Sequence, residues 1–204
     1  MLRIHSFTSQ GPSGPEENTA DLLARVSLVL PDGRRHERGG FVIGDGLVAT
    51  TGRGLNDPES VHVRTGAAAR TYGVQDICQG EPAARGIAVL KLAEHTAAGI
   101  VGRCGYAQSV RIGDRVWVLR AVEDAPALLV PGLVDMIESE SDGAPHAFQV
   151  GMAASGLRSG DPLFNELGEV IGILTLEDEG NGTHSVPVAA LTPDVLRPFL
   201  SVAP

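Results

Sequence analysis

The feature that most constrains this chain is its rhythm of short apolar runs cut by turn residues. Strand-like runs fall at Val26–Leu30, Arg34–Ile43, Leu47–Thr50, Val61–Arg64, Ile87–Leu92, Val116–Arg120, Leu128–Ile137, Ala147–Val150, Val170–Leu176 and Ser185–Val188. Between the early ones stand Pro31-Asp32-Gly33 and Gly44-Asp45-Gly46, residues that favour the tight turns joining antiparallel strands. The chain's 26 glycines and 13 prolines continue that punctuation to the end. Short strands at this spacing predict an all-β sandwich or barrel. A length of 204 residues suits one large domain or two small barrels that share a core. Two short helices are expected as well. One spans Thr19–Ala24, capped by Thr19. The other is C-terminal, where Thr192-Pro193-Asp194 supplies a cap, a first-turn proline and an acid. Its Leu196, Phe199 and Leu200 share one face. Residues 1–18 read as a loose leader, rich in Pro, Gly and Ser over 9–18.

Composition narrows the partners. The chain is 43% hydrophobic but only 4% aromatic, so Val, Leu, Ile and Ala must fill the core. A net charge of -9 with no basic run argues against nucleic acid and anionic membranes. The basic residues are fifteen arginines and the single Lys91, which reads as a coding bias rather than a function. No stretch approaches the roughly 18 apolar residues of a membrane span. The first residues lack an apolar run of roughly 7–15 residues, so no signal peptide is expected and the cytoplasm is the expected location. Cys78 and Cys104 could pair, but without an export signal reduced thiols are expected. No His, Cys or acidic residues have metal-ligand spacing, and Gly44-Asp45-Gly46 opens no helix, so neither a metal nor another cofactor is expected.

Several segments carry a more specific pattern. Gly39-Gly40-Phe41-Val42-Ile43 runs through to Gly46-Leu47-Val48-Ala49-Thr50. Gly86-Ile87-Ala88-Val89-Leu90-Lys91-Leu92 follows, then Arg111-Ile112-Gly113-Asp114-Arg115-Val116-Trp117-Val118 and Pro131-Gly132-Leu133-Val134. Last come Ser159-Gly160-Asp161-Pro162-Leu163-Phe164-Asn165 with Gly168–Ile173, and Ser185-Val186-Pro187. In that order they resemble the trypsin-like protease domain of HtrA/DegP-type enzymes over about residues 24–200. The resemblance implies a chymotrypsin-like double β-barrel, with the first barrel at about 19–108, the second at about 109–190 and a closing helix at about 191–201.

It also implies a site that lacks its usual parts. The family's catalytic histidine aligns with Arg53, and a guanidinium stays protonated at neutral pH and cannot act as the base. The family's aspartate aligns with Gly86, which has no side chain. The nucleophile position is kept as Ser159. Around it, Leu157-Arg158-Ser159-Gly160-Asp161 replaces the family's Gly-Asn-Ser-Gly-Gly. In that family the amides at positions 157 and 159 would form the oxyanion hole, which Leu157 is expected to distort. Arg53, Gly86 and Ser159 are thus vestigial triad positions, and Leu157, Arg158, Gly160 and Asp161 form a degenerate oxyanion loop. His184 and Ser185 could line the specificity pocket.

Other readings stand beside these. Ser159 could be only a turn residue next to Gly160. Lys91 is an odd number of residues from Gly86 on one strand and should face away from Ser159, which argues against a Ser–Lys dyad. His36 and His62 should face solvent. The acidic stretches Glu138-Ser139-Glu140-Ser141-Asp142 and Glu177-Asp178-Glu179 read as solvated hairpins or as a rim selecting a basic partner. Arg53 is expected to find an acceptor, with Asp161 or a backbone carbonyl foremost. The expected function is a catalytically inactive pseudoprotease that binds a peptide or protein, or scaffolds an assembly. The alternatives are an active serine endopeptidase using Ser159 with an unconventional base, and a structural subunit whose cleft its own loops fill.

Overall fold

A computed structural model of the chain describes residues 22–55, 57–65, 70–79, 86–94, 104–105, 107–122, 125–139, 143, 145–176, 185–191 and 196. Among the described residues, twelve strands alternate with turns. The first six are β1 (Leu23–Val29), β2 (Arg35–Gly44), β3 (Leu47–Thr51), β4 (Ser60–Thr65), β5 (Arg70–Gln79) and β6 (Ile87–Leu92). They close into a barrel in the order β1-β2-β3-β6-β5-β4. The second six are β7 (Arg115–Val122), β8 (Ala125–Ser139), β9 (Pro145–Met152), β10 (Pro162–Phe164), β11 (Val170–Leu174) and β12 (Ser185–Ala190). They close in the equivalent order, with β10 paired to both β11 and β7.

Three apolar clusters hold this arrangement. One fills the first barrel with Val26, Leu28, Val42, Val48, Val63 and Leu90 among others. A second fills the other barrel around Val118, Phe148, Val150, Leu163 and Ile171. The third lies in the seam and draws from both, with Phe41, Ala49 and Val89 meeting Leu119, Phe164, Val170 and Ile173. Strand alternation explains how one strand serves two clusters. On β3, Val48 points into the first barrel while Ala49 points into the seam. All five residues of β11 are buried for the same reason. Phe41 and Phe148 are fully buried, and each contributes roughly 2–3 kcal/mol of transfer free energy.

The all-β double barrel matches the expectation, with corrections in detail. Leu23 and Ala24 are not helical; they pair with Phe41 and Gly40 in β1. Residues 19–21 of the expected helix lie outside the described residues, and Leu22, Leu23 and Ala24 are buried. Two strands have no counterpart among the expected runs. β5 has one buried residue, Tyr72, so its pattern is polar. β10 is three residues long and opens on a proline. β11 ends at Leu174, two residues earlier than expected. The leader and most of the C-terminal helix lie outside the described residues; Leu196 is described and fully buried.

Candidate functional site

The seam brings together the segments that carry Arg53, Gly86 and Ser159. β3 ends at Thr51, and Gly52, Arg53 and Gly54 turn away from it. The Gly52 amide donates to the Gly86 carbonyl at 2.8 Å, just before β6 begins. A Cβ at Gly86 would meet the Thr175 methyl at 3.6 Å. From the second barrel, the turn before β10 presents Ser159 to the same place. The Gly39 amide donates to the Ser159 carbonyl and the Gly160 amide to the Leu174 carbonyl, both at 2.8 Å. Thr50 Oγ1 donates to the Gly39 carbonyl at 2.7 Å. Backbone hydrogen bonds therefore hold the frame, whatever side chains it carries.

The side chains provide no proton acceptor for Ser159 among the described residues. Ser159 Oγ lies 3.4 Å from Thr51 Oγ1 and 3.4 Å from the Leu174 carbonyl. A threonine hydroxyl and an amide carbonyl are not bases at neutral pH. The Thr51 hydroxyl in turn accepts from Arg38 Nη1 at 3.2 Å. The same nitrogen donates to the Thr51 carbonyl at 3.1 Å and to the Arg53 carbonyl. This hydroxyl chain ends in a guanidinium, which can only donate. Burial lowers the pKa of Arg38, and the charge of Arg53 adds to the effect. Arg53 itself is exposed.

The loop before Ser159 has a definite shape. The Leu157 amide donates to the Ala154 carbonyl at 3.0 Å, closing a four-residue turn. Gly156 supplies that turn's positive φ of 70°. Arg120 Nη1 donates to the Ser155 carbonyl at 2.8 Å, and a Cβ at Gly156 would overlap that nitrogen. The Leu157 side chain is 1% exposed and belongs to the second-barrel core. The Leu157 amide is thus committed to the turn and its side chain is an apolar anchor.

Asp161 is buried and turned back on the same loop. Its Oδ2 accepts from the Arg158 amide at 2.8 Å, and its own amide donates to the Arg158 carbonyl at 3.1 Å. A Cβ at Gly39 would overlap its Oδ1, so the carboxylate fills the space that glycine leaves. Burial pushes the Asp161 carboxyl up to about 7, against the opposing pull of the Arg158 amide and of the Arg158 and Arg120 guanidiniums. The charged groups that act on this carboxylate are Arg158 and Arg120.

With this geometry in place, the chain can be set beside known proteins. No protein-family model and no curated protein matches the sequence. Its backbone superposes on a solved structure described as "HtrA-type protease AlgW with tripeptide", with a TM-score of 0.69 and 17% identity. The match covers 93% of this chain and 64% of that one. The fold is the chymotrypsin-like double barrel. At this identity the likeness extends to the fold alone.

Within that fold, the remaining candidate residues are scattered. Lys91 is exposed and shares its strand face with Ile87 and Val89 of the seam cluster, opposite the face of Leu90 and Leu92. His36 and His62 are exposed. Ser185 opens β12 and donates to Gln149 Oε1 at 3.1 Å. His184, Glu140-Ser141-Asp142 and Glu177-Asp178-Glu179 lie outside the described residues. Sequence reasoning overlooked Arg38, Thr51 and Arg120. Arg38 is the last charged residue before the buried Gly39–Ile43 run, and that position was its only signal.

Proposed function

We propose that this chain is a catalytically inactive, trypsin-like protein that holds a peptide or protein segment in the cleft between its barrels. The observation that carries this reading is the Leu157 amide, which would be an oxyanion donor and is instead bonded to the Ala154 carbonyl. Loss of one such donor costs about 10²–10³ in rate. The contacts of Ser159 with Thr51 and Leu174 supply neither base nor orienting carboxylate, and loss of those roles costs thousands-fold more. With chemistry removed from both halves of the site, binding is the function left to the cleft. Both barrels are closed, which removes free strand edges, so recognition falls to side chains and to Thr175-Leu176, the segment leaving β11.

The test is a fluorophosphonate probe. The folded protein should give no adduct at Ser159 by intact-mass measurement, and casein should survive prolonged incubation. A Ser159 adduct that disappears on denaturation before labelling would show an activated serine and overturn the reading.

A further inference from the structure

The outer surfaces of the two barrels are unequal. Among the described residues, the exposed large apolar side chains are Ile112, Leu128, Leu133, Met136 and Leu167, all in the second half of the chain. One of them, Leu133, helps to line a hollow of about 410 Å³ on the β7–β8 face, with Arg115, Trp117, Pro131 and Gly151. That volume lies in the range of clefts that hold ligands, about 300–1,000 Å³. Strand alternation explains where the hollow sits. On β7, Val116 and Val118 point into the second barrel, while Leu119 points into the seam. Trp117 shares the Leu119 face, and its neighbours across the sheet are Phe164 of β10 and Pro131 of β8. The hollow is thus the open end of the seam's apolar face. At Trp117 the β7 backbone is already paired on both sides, so a ligand there has no strand edge to join. Side chains must hold it.

The chain carries a segment of matching chemistry with a short path to that hollow. Upstream of β1, outside the described residues, stands Pro12-Ser13-Gly14-Pro15. A Pro-x-x-Pro spacing puts both prolines on one edge of a polyproline II helix, which has three residues per turn and no internal hydrogen bonds. Such helices dock by their prolines into aromatic-lined grooves and need no strand edge. Trp117 is the chain's one tryptophan, and Pro131 and Leu133 extend its apolar surface. The path starts at Leu22, fully buried in the seam cluster that also holds Leu119 and Phe164, the two neighbours of Trp117. Pro15 is seven residues upstream of Leu22 and can reach roughly 20 Å from it. Trp117 lies only roughly 7 Å along β7 from Leu119. From this geometry we infer that residues 12–15 dock as a polyproline II turn over Trp117, Pro131 and Leu133 of the same chain. The short tether supplies an effective concentration on the order of mM, so a weak contact suffices to keep the hollow filled. The inference is independent of what the cleft at Ser159 holds.

The experiment uses the full chain, and its single tryptophan reports on the hollow directly. Pro12→Gly with Pro15→Gly precedes both barrels and should leave far-ultraviolet circular dichroism unchanged. Acrylamide quenching of Trp117 should rise at least twofold in that variant, with the emission moved to longer wavelength. Equal quenching in parent and variant would overturn the inference. A second measurement locates the segment. Ser13 is replaced by the photoreactive residue benzoylphenylalanine, the dilute full chain is irradiated, and the adduct is mapped by mass spectrometry. The attachment should fall within one chain, on β7 or on the Pro131–Leu133 stretch of β8. No adduct, or an adduct elsewhere in the chain, would sink the inference. So would an adduct joining two chains, since the occupant would then be the leader of a second copy.

Discussion

The two barrels wind in the same order, yet they bring different things to the seam. The first barrel contributes backbone, the Gly39 amide to Ser159 and the Gly52 amide to Gly86, with the Thr50 side-chain hydroxyl bonded to the Gly39 carbonyl. Where a triad would need side chains, it offers an exposed arginine and a glycine. The second barrel keeps the serine but commits the neighbouring Leu157 amide to a turn under Arg120. On the proposed reading, chemistry is missing from both halves for unrelated physical reasons, while main-chain contacts join the halves. A frame built from main-chain hydrogen bonds tolerates the exchange of catalytic side chains. A reaction built from those side chains does not.

The largest expected effect tests whether the two lesions are independent. Arg53→His with Gly86→Asp restores a base and an orienter on the first-barrel side alone. Casein cleavage should stay at background. The Leu157 amide remains bonded to Ala154, and Gly86 has a φ of 67°, a conformation an aspartate adopts only with strain. Adding Leu157→Gly and Asp161→Gly frees the second side. Measurable cleavage should then appear, about 10²-fold or more above the two-site variant, the usual weight of one oxyanion donor. If the two-site variant already cleaves casein, the second barrel's half is intact and the comparison fails.

Next comes the joint itself. Gly160 has a φ of 97°, and a Cβ there would overlap the Gly39 carbonyl oxygen. Gly160→Ala should therefore cost about 3–5 kcal/mol, combining backbone strain with overpacking. Thermal unfolding should fall by on the order of 10 °C. A drop of less than a few degrees would mean the barrels are not tightly keyed at this point.

How far the sequence disclosed all this differs between frame and site. Apolar alternation made most strands legible, because burial against a barrel interior leaves a period of two. β5 escaped because its exposed face is polar and it buries only Tyr72. β10 escaped because Pro162–Phe164 is too short to show any period. At the site, Arg53, Gly86 and Ser159 could be located because they sit beside recognisable strands. The Leu157 turn could not, because its cause is distributed: Gly156 permits the φ, Arg120 comes from β7, and the Leu157 side chain answers to the second-barrel core. Arg38 was invisible for a related reason. Its meaning depends on Thr51 and Arg53, thirteen and fifteen residues away.

A smaller effect separates charge from shape at Asp161. Burial raises its folded pKa to about 7, from the ordinary carboxylate value of 3.8. A raised pKa means the folded state holds the proton more tightly. The corresponding stability is fully present below about pH 4 and is lost as pH rises through about 7. Asp161→Asn keeps an acceptor for the Arg158 amide and removes the charge. It should match the parent near pH 4 and exceed it by about 1–3 kcal/mol at pH 8 in urea unfolding, once relaxation around a buried charge is allowed for. The same pH slope in both proteins would mean that Asp161 is not the group being titrated, and that the second barrel's loop is held by shape alone.

The smallest effect belongs to the residue that would matter most in a working protease. Ser159 Oγ has two partners, each at 3.4 Å, long for a hydroxyl hydrogen bond. Such contacts contribute little, and the main-chain bonds to Gly39 and Leu174 do not depend on the side chain. Ser159→Ala should change stability by less than about 1 kcal/mol. In an active hydrolase the same change would remove turnover altogether. The decisive measurement is therefore urea unfolding of Ser159→Ala beside its casein assay. A stability loss well above about 1 kcal/mol, or parent cleavage that the substitution abolishes, would return the hydroxyl to the centre of the site, and with it the case for catalysis.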